Sequence, residues 1–386
     1  MSPRIAARLA LVRVGFLLGR LAGSPRPRVV LATSHARAIG GNLAALRAEL
    51  ATRSPRVPVA TIAFQPSSSL RGLATAALAS IRAGYHLASA RAFVVDDYFL
   101  PMYVVRPRAG TTCIQVWHAS GAFKKFGYSV LDKGFGQTEA EVAQVPIHTN
   151  YDYCLVSSMR FAPAYAEAFN EPLDRFHANT GIPRTDQLFG ERRDAAEAAV
   201  RAAYPAIAGK RSVLYAPTFR GESALVASQP VELDLHELRA SLGDDHVILL
   251  RQHPFVRRST ALGPDLEGFV IDVSDHPDIH ELMLVSDVLV SDYSSAIYEY
   301  SLLGRPMAFF APDLEAYEGE RGFYFDYRSG VPGPVFETTT ALAAWLRAGD
   351  FDLERVARFR DESFDVADGH ASRRFVDEVL LPALEP

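Results

Sequence analysis

Apolar runs of strand length recur along this chain with helix-length segments between them, a rhythm that parallel sheets with crossover helices produce. The runs fall at residues 29–33, 57–64, 92–96, 113–118 and 153–157. After a polar, alanine-rich stretch at 192–204 and the breakers Pro205 and Gly209, they resume at 212–218, 247–252, 269–273, 288–291 and 306–310. Helices are expected at 43–52 and 70–90, and from Thr338 almost to the C-terminus. A chain of 386 residues exceeds one ordinary core. The restart therefore reads as a second domain, with units at 1–190 and 191–386 and one late helix crossing back. Both units read as doubly wound α/β domains facing each other across a cleft. Ligands of such sheets bind at the carboxyl ends of strands. Residues 127–146 read as a long loop over that cleft.

Composition narrows the function classes. Hydrophobic residues make up 48% and charged residues 22%, the balance of a globular chain rather than a disordered one. A net charge of −5 gives no reason to expect a nucleic-acid partner. Cys113 and Cys154 both fall in apolar runs and read as reduced core thiols of a cytoplasmic protein. No apolar stretch is long enough to span a bilayer. The first 28 residues carry six arginines and no acid, and Arg13 and Arg20 bracket an apolar patch too short for a signal peptide. A basic amphipathic helix is the better reading, with Ile5, Leu9, Val12 and Phe16 on one face. That face can lie on an anionic bilayer or pack on the body of the domain.

Several strand ends carry chemistry. The run 113–118 delivers His118, followed by Ala119-Ser120-Gly121, small enough for a ligand to approach the backbone, and by Lys124 and Lys125. A histidine there can take a proton from a hydroxyl, and the lysines can offset phosphate charge. The run 212–218 ends in Thr218, with Arg220 beyond it. The run 247–252 carries Arg251 and leads to His253, two residues on, so that both side chains share a face and can meet one phosphate. The run 288–291 leads into Asp292 and the pair Ser294 and Ser295 at the start of a helix, a ready anion site. No metal-ligand spacing, Walker A loop or Gly-x-Ser-x-Gly elbow is present, and the need for a divalent cation is left open.

Read in order, five blocks resemble the CDP-glycerol glycerophosphotransferase family of teichoic-acid primases and polymerases. They are Trp-His-Ala-Ser-Gly-Ala-Phe-Lys-Lys at 117–125, Thr-Gly-Ile-Pro-Arg-Thr-Asp at 180–186, Tyr-Ala-Pro-Thr-Phe-Arg at 215–220, Arg-Gln-His-Pro at 251–254, and the block from 278 to 295 continuing through 321–327. The resemblance implies a GT-B-like fold with its active site between the domains. It implies transfer of glycerol phosphate from CDP-glycerol to a hydroxyl of a lipid-linked or polymeric acceptor, on the cytoplasmic face of the membrane. His118 becomes the general base and His253 the second essential histidine. Arg251, Thr218, Arg220, Asp292, Ser294 and Ser295 fall on the donor side. A CDP-ribitol donor, a nucleotide-sugar glycosyltransferase and a non-catalytic polymer-binding scaffold stand as alternatives. Many family members carry Gly-Thr after the Trp-His pair, where this chain has Ala119-Ser120, which bears on acceptor choice.

Overall fold

The computed structural model describes residues 3–65, 69–133, 136–220, 233–252 and 263–385. His253 lies outside the described residues. Two parallel six-stranded sheets organise the chain. The first contains β1 (Arg26–Thr33), β2 (Val59–Ala63), β3 (Ala90–Val95), β4 (Thr112–Gln115), β5 (Tyr153–Leu155) and β6 (Phe176–His177), in the order β2-β1-β3-β4-β5-β6. The second contains β7 (Arg211–Ala216), β8 (His246–Leu250), β9 (Val270–Asp272), β10 (Val288–Ser291), β11 (Met307–Phe310) and β12 (Val335–Phe336), in the order β12-β11-β10-β7-β8-β9. All the expected strands form. β6 and β12 escape sequence reading because two-residue edge strands leave no periodicity.

The strands are near-continuous apolar because helices cover both faces. Along β7 and β8, Val213, Tyr215, Ile248 and Leu250 enter one core under the helices Leu235–Leu242 and Thr339–Ala348. Their neighbours Leu214, Ala216, Val247 and Leu249 enter the other core, which continues into the first sheet. Period-two alternation thus divides each strand between two apolar layers.

Each sheet has a point where the strand order reverses, between β1 and β3 in the first and between β7 and β10 in the second. Loops that leave neighbouring strands toward opposite faces open a crevice there. Around these two crevices the candidate residues gather.

Contacts between the halves are extensive. Gly121 sits so close to Tyr298 that any Cβ would collide with its ring. Phe123 packs on Phe323, Phe325 and Tyr327, and the Lys125 amide donates to the Gly322 carbonyl at 3.1 Å. Gly121 therefore serves close packing between the halves, where the sequence suggests room for a ligand. Late helices return to the first sheet: both Asp186 oxygens accept backbone N–H groups, from Ala371 and Ser372, at 2.8 Å each.

Two further expectations change. The segment 127–146 contains a 3₁₀ turn, Gly127–Val130, and the helix Glu139–Gln144, closed by a reciprocal capping box between Thr138 and Glu141. In the helix Pro3–Leu21, Leu9 and Val12 are buried, with Gly15 and Gly19 tight against the helix Leu70–Ser89 at Ile81, Tyr85 and Ala88. Of the face read as meeting either a bilayer or the protein body, Leu9 and Val12 pack on the protein and Phe16 is partly buried, while Ile5 stays exposed. A different stripe, Val14, Leu17, Leu18 and Leu21, is exposed beside Arg13 and Arg20. No described helix is long and apolar enough to cross a membrane.

Candidate active site

β4 hydrogen-bonds as far as Val116, whose amide donates to the Val95 carbonyl at 2.9 Å, and then breaks abruptly. Trp117 adopts φ 47°, the left-handed region that costs a bulky residue about 1–3 kcal/mol. Three groups hold it there. The Gln115 side chain accepts the Trp117 amide at 2.9 Å, and Asn42 Nδ2 donates to the Val116 and Trp117 carbonyls at 2.9 Å each. The indole itself is caged by Phe126, Phe169, His148 and Tyr98. The turn swings His118 out of the strand line, leaving its side chain 47% exposed above the strand ends.

The first crevice closes around this imidazole. His118 Nδ1 lies 3.3 Å from the Asp96 carbonyl and 3.7 Å from Asp97 Oδ2. Nδ1–H is thereby the donor, and Nε2 is left as the proton acceptor. The same Asp97 oxygen lies 3.1 Å from His35 Nδ1, while the other accepts the Tyr98 amide at 2.6 Å. Burial pushes the Asp97 carboxyl upward, but the His118 charge and the His35 hydrogen bond outweigh it and hold Asp97 below its ordinary range. Burial also works against the His35 charge, yet Asp97 and Asp96 carry His35 above the usual histidine value. His118 moves the other way. Desolvation lowers it, Asp97 opposes, and the nearby charges of His35 and Arg184 add to the lowering. Asp96, buried with Oδ1 lacking a hydrogen-bond partner among the described residues, is pushed up to about 6 by burial.

Arg184 joins this crevice to the second sheet. It is carried on the 3₁₀ segment Pro183–Leu188, its amide donates to Asn42 Oδ1 at 3.0 Å, and its guanidinium donates to the His118 carbonyl and to Glu299. Glu299, 1% exposed, also accepts from the Ser120 hydroxyl at 2.6 Å. Its helix, Ala296–Ser301, starts directly after the Ser294–Ser295 turn, so one guanidinium links the base's backbone to the second crevice. Asn42 touches both Trp117 and Arg184. Substituting Asn42→Ala is expected to lower kcat about tenfold while costing ~1–3 kcal/mol for the donors and acceptors left unpaired. Steady-state kinetics beside a urea melt checks this.

At the second crevice the expected donor-side residues are largely spent on each other. Asp292 Oδ1 accepts the Thr218 and Tyr293 amides at 2.8 and 2.6 Å. Asp292 Oδ2 accepts from Thr218 Oγ1 at 3.1 Å and Arg220 Nη1 at 2.9 Å. Arg220 also forks onto Asp313, at 2.6 and 3.1 Å, and lies against the Tyr293 and Tyr317 rings. Thr218, Arg220 and Asp292 thus form a framework that fixes the loops after β7 and β10 at the second crevice. Arg251 leaves β8 and donates to the His276 carbonyl at 2.6 Å. Ser295 occupies the N-cap position of the following six-residue helix without a side-chain cap bond, and Ser294 Oγ accepts the Ala296 amide at 3.2 Å. Both serines are part-exposed. Lys124 and Lys125 lie at the seam, with Lys124 bridging to Phe323 and its Nζ 6.0 Å from the centre of the Tyr317 ring.

Sequence reading missed His35, Asp96, Asp97, Arg184 and Glu299. Among the described residues, no three His, Cys, Asp or Glu side chains converge as metal ligands.

Comparison with known proteins gives the family and the fold. Residues 21–381 match the family described as CDP-glycerol:poly(glycerophosphate) glycerophosphotransferase. The chain is 37% identical over 364 residues to a teichoic acid ribitol-phosphate primase of Bacillus spizizenii, covering 94% of this chain and 92% of that one. It is 31% identical to a teichoic acid glycerol-phosphate primase of the same species, covering 77% and 76%. A histidine-to-asparagine variant of the wall teichoic acid polymerase TagF superposes with a TM-score of 0.79 at 23% identity, covering 97% and 93%, which establishes the fold as GT-B-like. The chain belongs to the CDP-glycerol glycerophosphotransferase family, the phosphotransferases of teichoic acid synthesis.

Proposed function

We propose that this protein transfers a polyol phosphate from a CDP-linked donor to an acceptor hydroxyl, with His118 as general base. The observation that carries the reading is His118 itself. It stands on a strained turn, its Nδ1 faces the Asp96 carbonyl and Asp97, and its side chain is half exposed. The acceptor oxygen attacks the β-phosphorus of the donor, the bond from that phosphorus to the bridging oxygen breaks, and CMP leaves. Nε2 takes the hydroxyl proton, and the imidazolium so formed is balanced by Asp97. Ser294, Ser295, Arg251 and, beyond the described residues, His253 are the groups proposed to meet the donor phosphates. Lys124 and Lys125 supply positive charge at the seam.

The neutral form of His118 is the active one, and its basicity is held below the ordinary value of 6.5. The rate is therefore expected to fall only as pH drops through a midpoint below 6.5. Asp97→Asn removes a charge that raises His118. Its acid limb is expected to shift to lower pH, with plateau kcat down about ten- to a hundredfold as the base weakens and loses its anchor. A kcat/KM–pH profile of both proteins checks the sign. An acid limb moving upward would remove Asp97 from this role.

For the donor, the relative at 37% identity over 94% of this chain is a teichoic acid ribitol-phosphate primase, and a ribitol donor is put ahead of the glycerol donor that the sequence suggests. Glycerol is the second reading, supported by the family description and by the relative at 31%. Nucleotide release from CDP-ribitol, CDP-glycerol and UDP-glucose, each with a lipid-linked disaccharide or polyol-phosphate acceptor, separates the two and tests the glycosyltransferase alternative.

We also propose that the protein works at the cytoplasmic membrane surface, through the exposed stripe of Val14, Leu17, Leu18 and Leu21 and the adjacent Arg13 and Arg20. Leu17→Glu with Leu21→Glu is expected to cut flotation with phosphatidylglycerol vesicles about tenfold or more. Unchanged flotation would place the contact elsewhere.

A further inference from the structure

The second sheet covers one flank of His118 through the seam at Gly121 and Phe123, and Arg184 bridges from its carbonyl to Glu299. The other flank is the segment after β1 that carries His35. Two residues beyond His35 this segment enters a groove of about 700 Å³ at the β2 edge of the first sheet. Arg37, Arg47 and Arg82 line it, and no carboxylate does. Arg82 is set in place by a 3.0 Å hydrogen bond from Nη2 to the edge carbonyl of Thr61. The exposed Arg37 and Arg47 have no hydrogen-bond or ion-pair partner among the described side chains. The wall between the guanidiniums is small and apolar, with Ala48 on the helix Gly41–Ala51 and Ala63 on β2. Three unneutralised guanidiniums spaced along a shallow apolar wall match a ligand that alternates phosphate with short aliphatic units.

We propose that this groove binds the phosphates of the acceptor, and that it delivers the acceptor's terminal hydroxyl to His118 past His35. The proposal rests on the polyol-phosphate transfer reading, because it takes a phosphodiester-bearing acceptor as the ligand. The groove and the reactive turn share one support: the helix that carries Arg47 also carries Asn42, which holds the Trp117 carbonyl.

An anionic lipid headgroup offers the same phosphate chemistry, so the test has separate arms. The variant Arg37→Glu/Arg47→Glu changes two exposed side chains and is checked for folding by circular dichroism. Binding of a soluble, lipid-free oligo(polyol phosphate) is measured by calorimetry, acceptor and donor KM by CMP release, and partition onto phosphatidylcholine vesicles with and without phosphatidylglycerol by sedimentation. The expected result is a loss of about tenfold or more in oligomer affinity and a matching rise in acceptor KM. Donor KM and vesicle partition should stay within about twofold. Unchanged oligomer binding and acceptor KM would overturn the proposal. So would a defect confined to phosphatidylglycerol vesicles, which would assign the groove to the membrane. If the unmodified protein released CMP from no donor yet bound the oligomer through these arginines, the groove would stand and the transfer reading would fall.

Discussion

His118→Ala is expected to lower kcat by about 10²- to 10⁴-fold while leaving the protein folded, with donor affinity close to native. The imidazole is half exposed, and its hydrogen-bond contact is the Asp96 carbonyl, which solvent can satisfy once the ring is gone. The left-handed turn beneath it is held by Gln115, Asn42 and the aromatic cage of Trp117, none of which depends on the His118 side chain. Loss of activity with a native melting curve is therefore the signature to look for. Near-native turnover would remove the base from the mechanism.

Arg184→Met is expected to cost about 3–5 kcal/mol, because it strips the paired guanidinium from a carboxylate that is 1% exposed. Among the described residues the Ser120 hydroxyl would remain as a hydrogen-bond donor to Glu299 Oε1, and Glu299 Oε2 already lacks a partner there. Burial pushes Glu299 upward, but Arg184, then His280 and Ser120, hold it below its ordinary value of 4.5. A depressed carboxyl stabilises fully above the unfolded-state pKa and loses that contribution as pH falls through the folded one. The deficit of the variant is accordingly largest near neutrality and shrinks in acid. Adding Glu299→Leu is expected to recover much of the stability, since an apolar pair replaces an orphaned charge. It is not expected to recover kcat, because the donor to the His118 carbonyl stays lost. Chemical denaturation of the single and double variants at neutral and acidic pH measures the cost, its pH dependence and the recovery, and steady-state kinetics measures kcat.

How much of this was legible in the chain follows from the range of each interaction. The strands showed because burial on both faces makes them continuous apolar runs, and His118 showed because a titratable residue directly after such a run is conspicuous. His35 and the Asp96-Asp97 pair carry the same signal, polar residues at the ends of the runs 29–33 and 92–96. They passed unremarked because only the fold places β1 and β3 side by side at the reversal of strand order. The Arg184–Glu299 pair spans residues far apart in sequence. Its one local trace is a glutamate inside the apolar string Ile297-Tyr298-Glu299-Tyr300, where a buried charge demands a partner. Ala119-Ser120-Gly121 misled because a small residue admits a ligand and a neighbouring ring equally well, and here the ring of Tyr298 takes the space. Thr218, Arg220 and Asp292 were placed correctly at strand ends, but their mutual neutralisation depends on geometry that spacing cannot reveal.

The identity of the released nucleotide reports most directly which bond breaks. Attack on the β-phosphorus of a CDP-polyol leaves CMP, and the acceptor gains a phosphodiester. Attack at carbon, as in sugar transfer, leaves the nucleoside diphosphate. Purified protein is given radiolabelled CDP-ribitol or CDP-glycerol and a polyol-phosphate acceptor, and the nucleotide products are separated by chromatography beside a His118→Ala control. CMP is the expected product, formed in step with a new phosphodiester and abolished by the substitution. Release of CDP, or CMP formation that persists without His118, would contradict this mechanism.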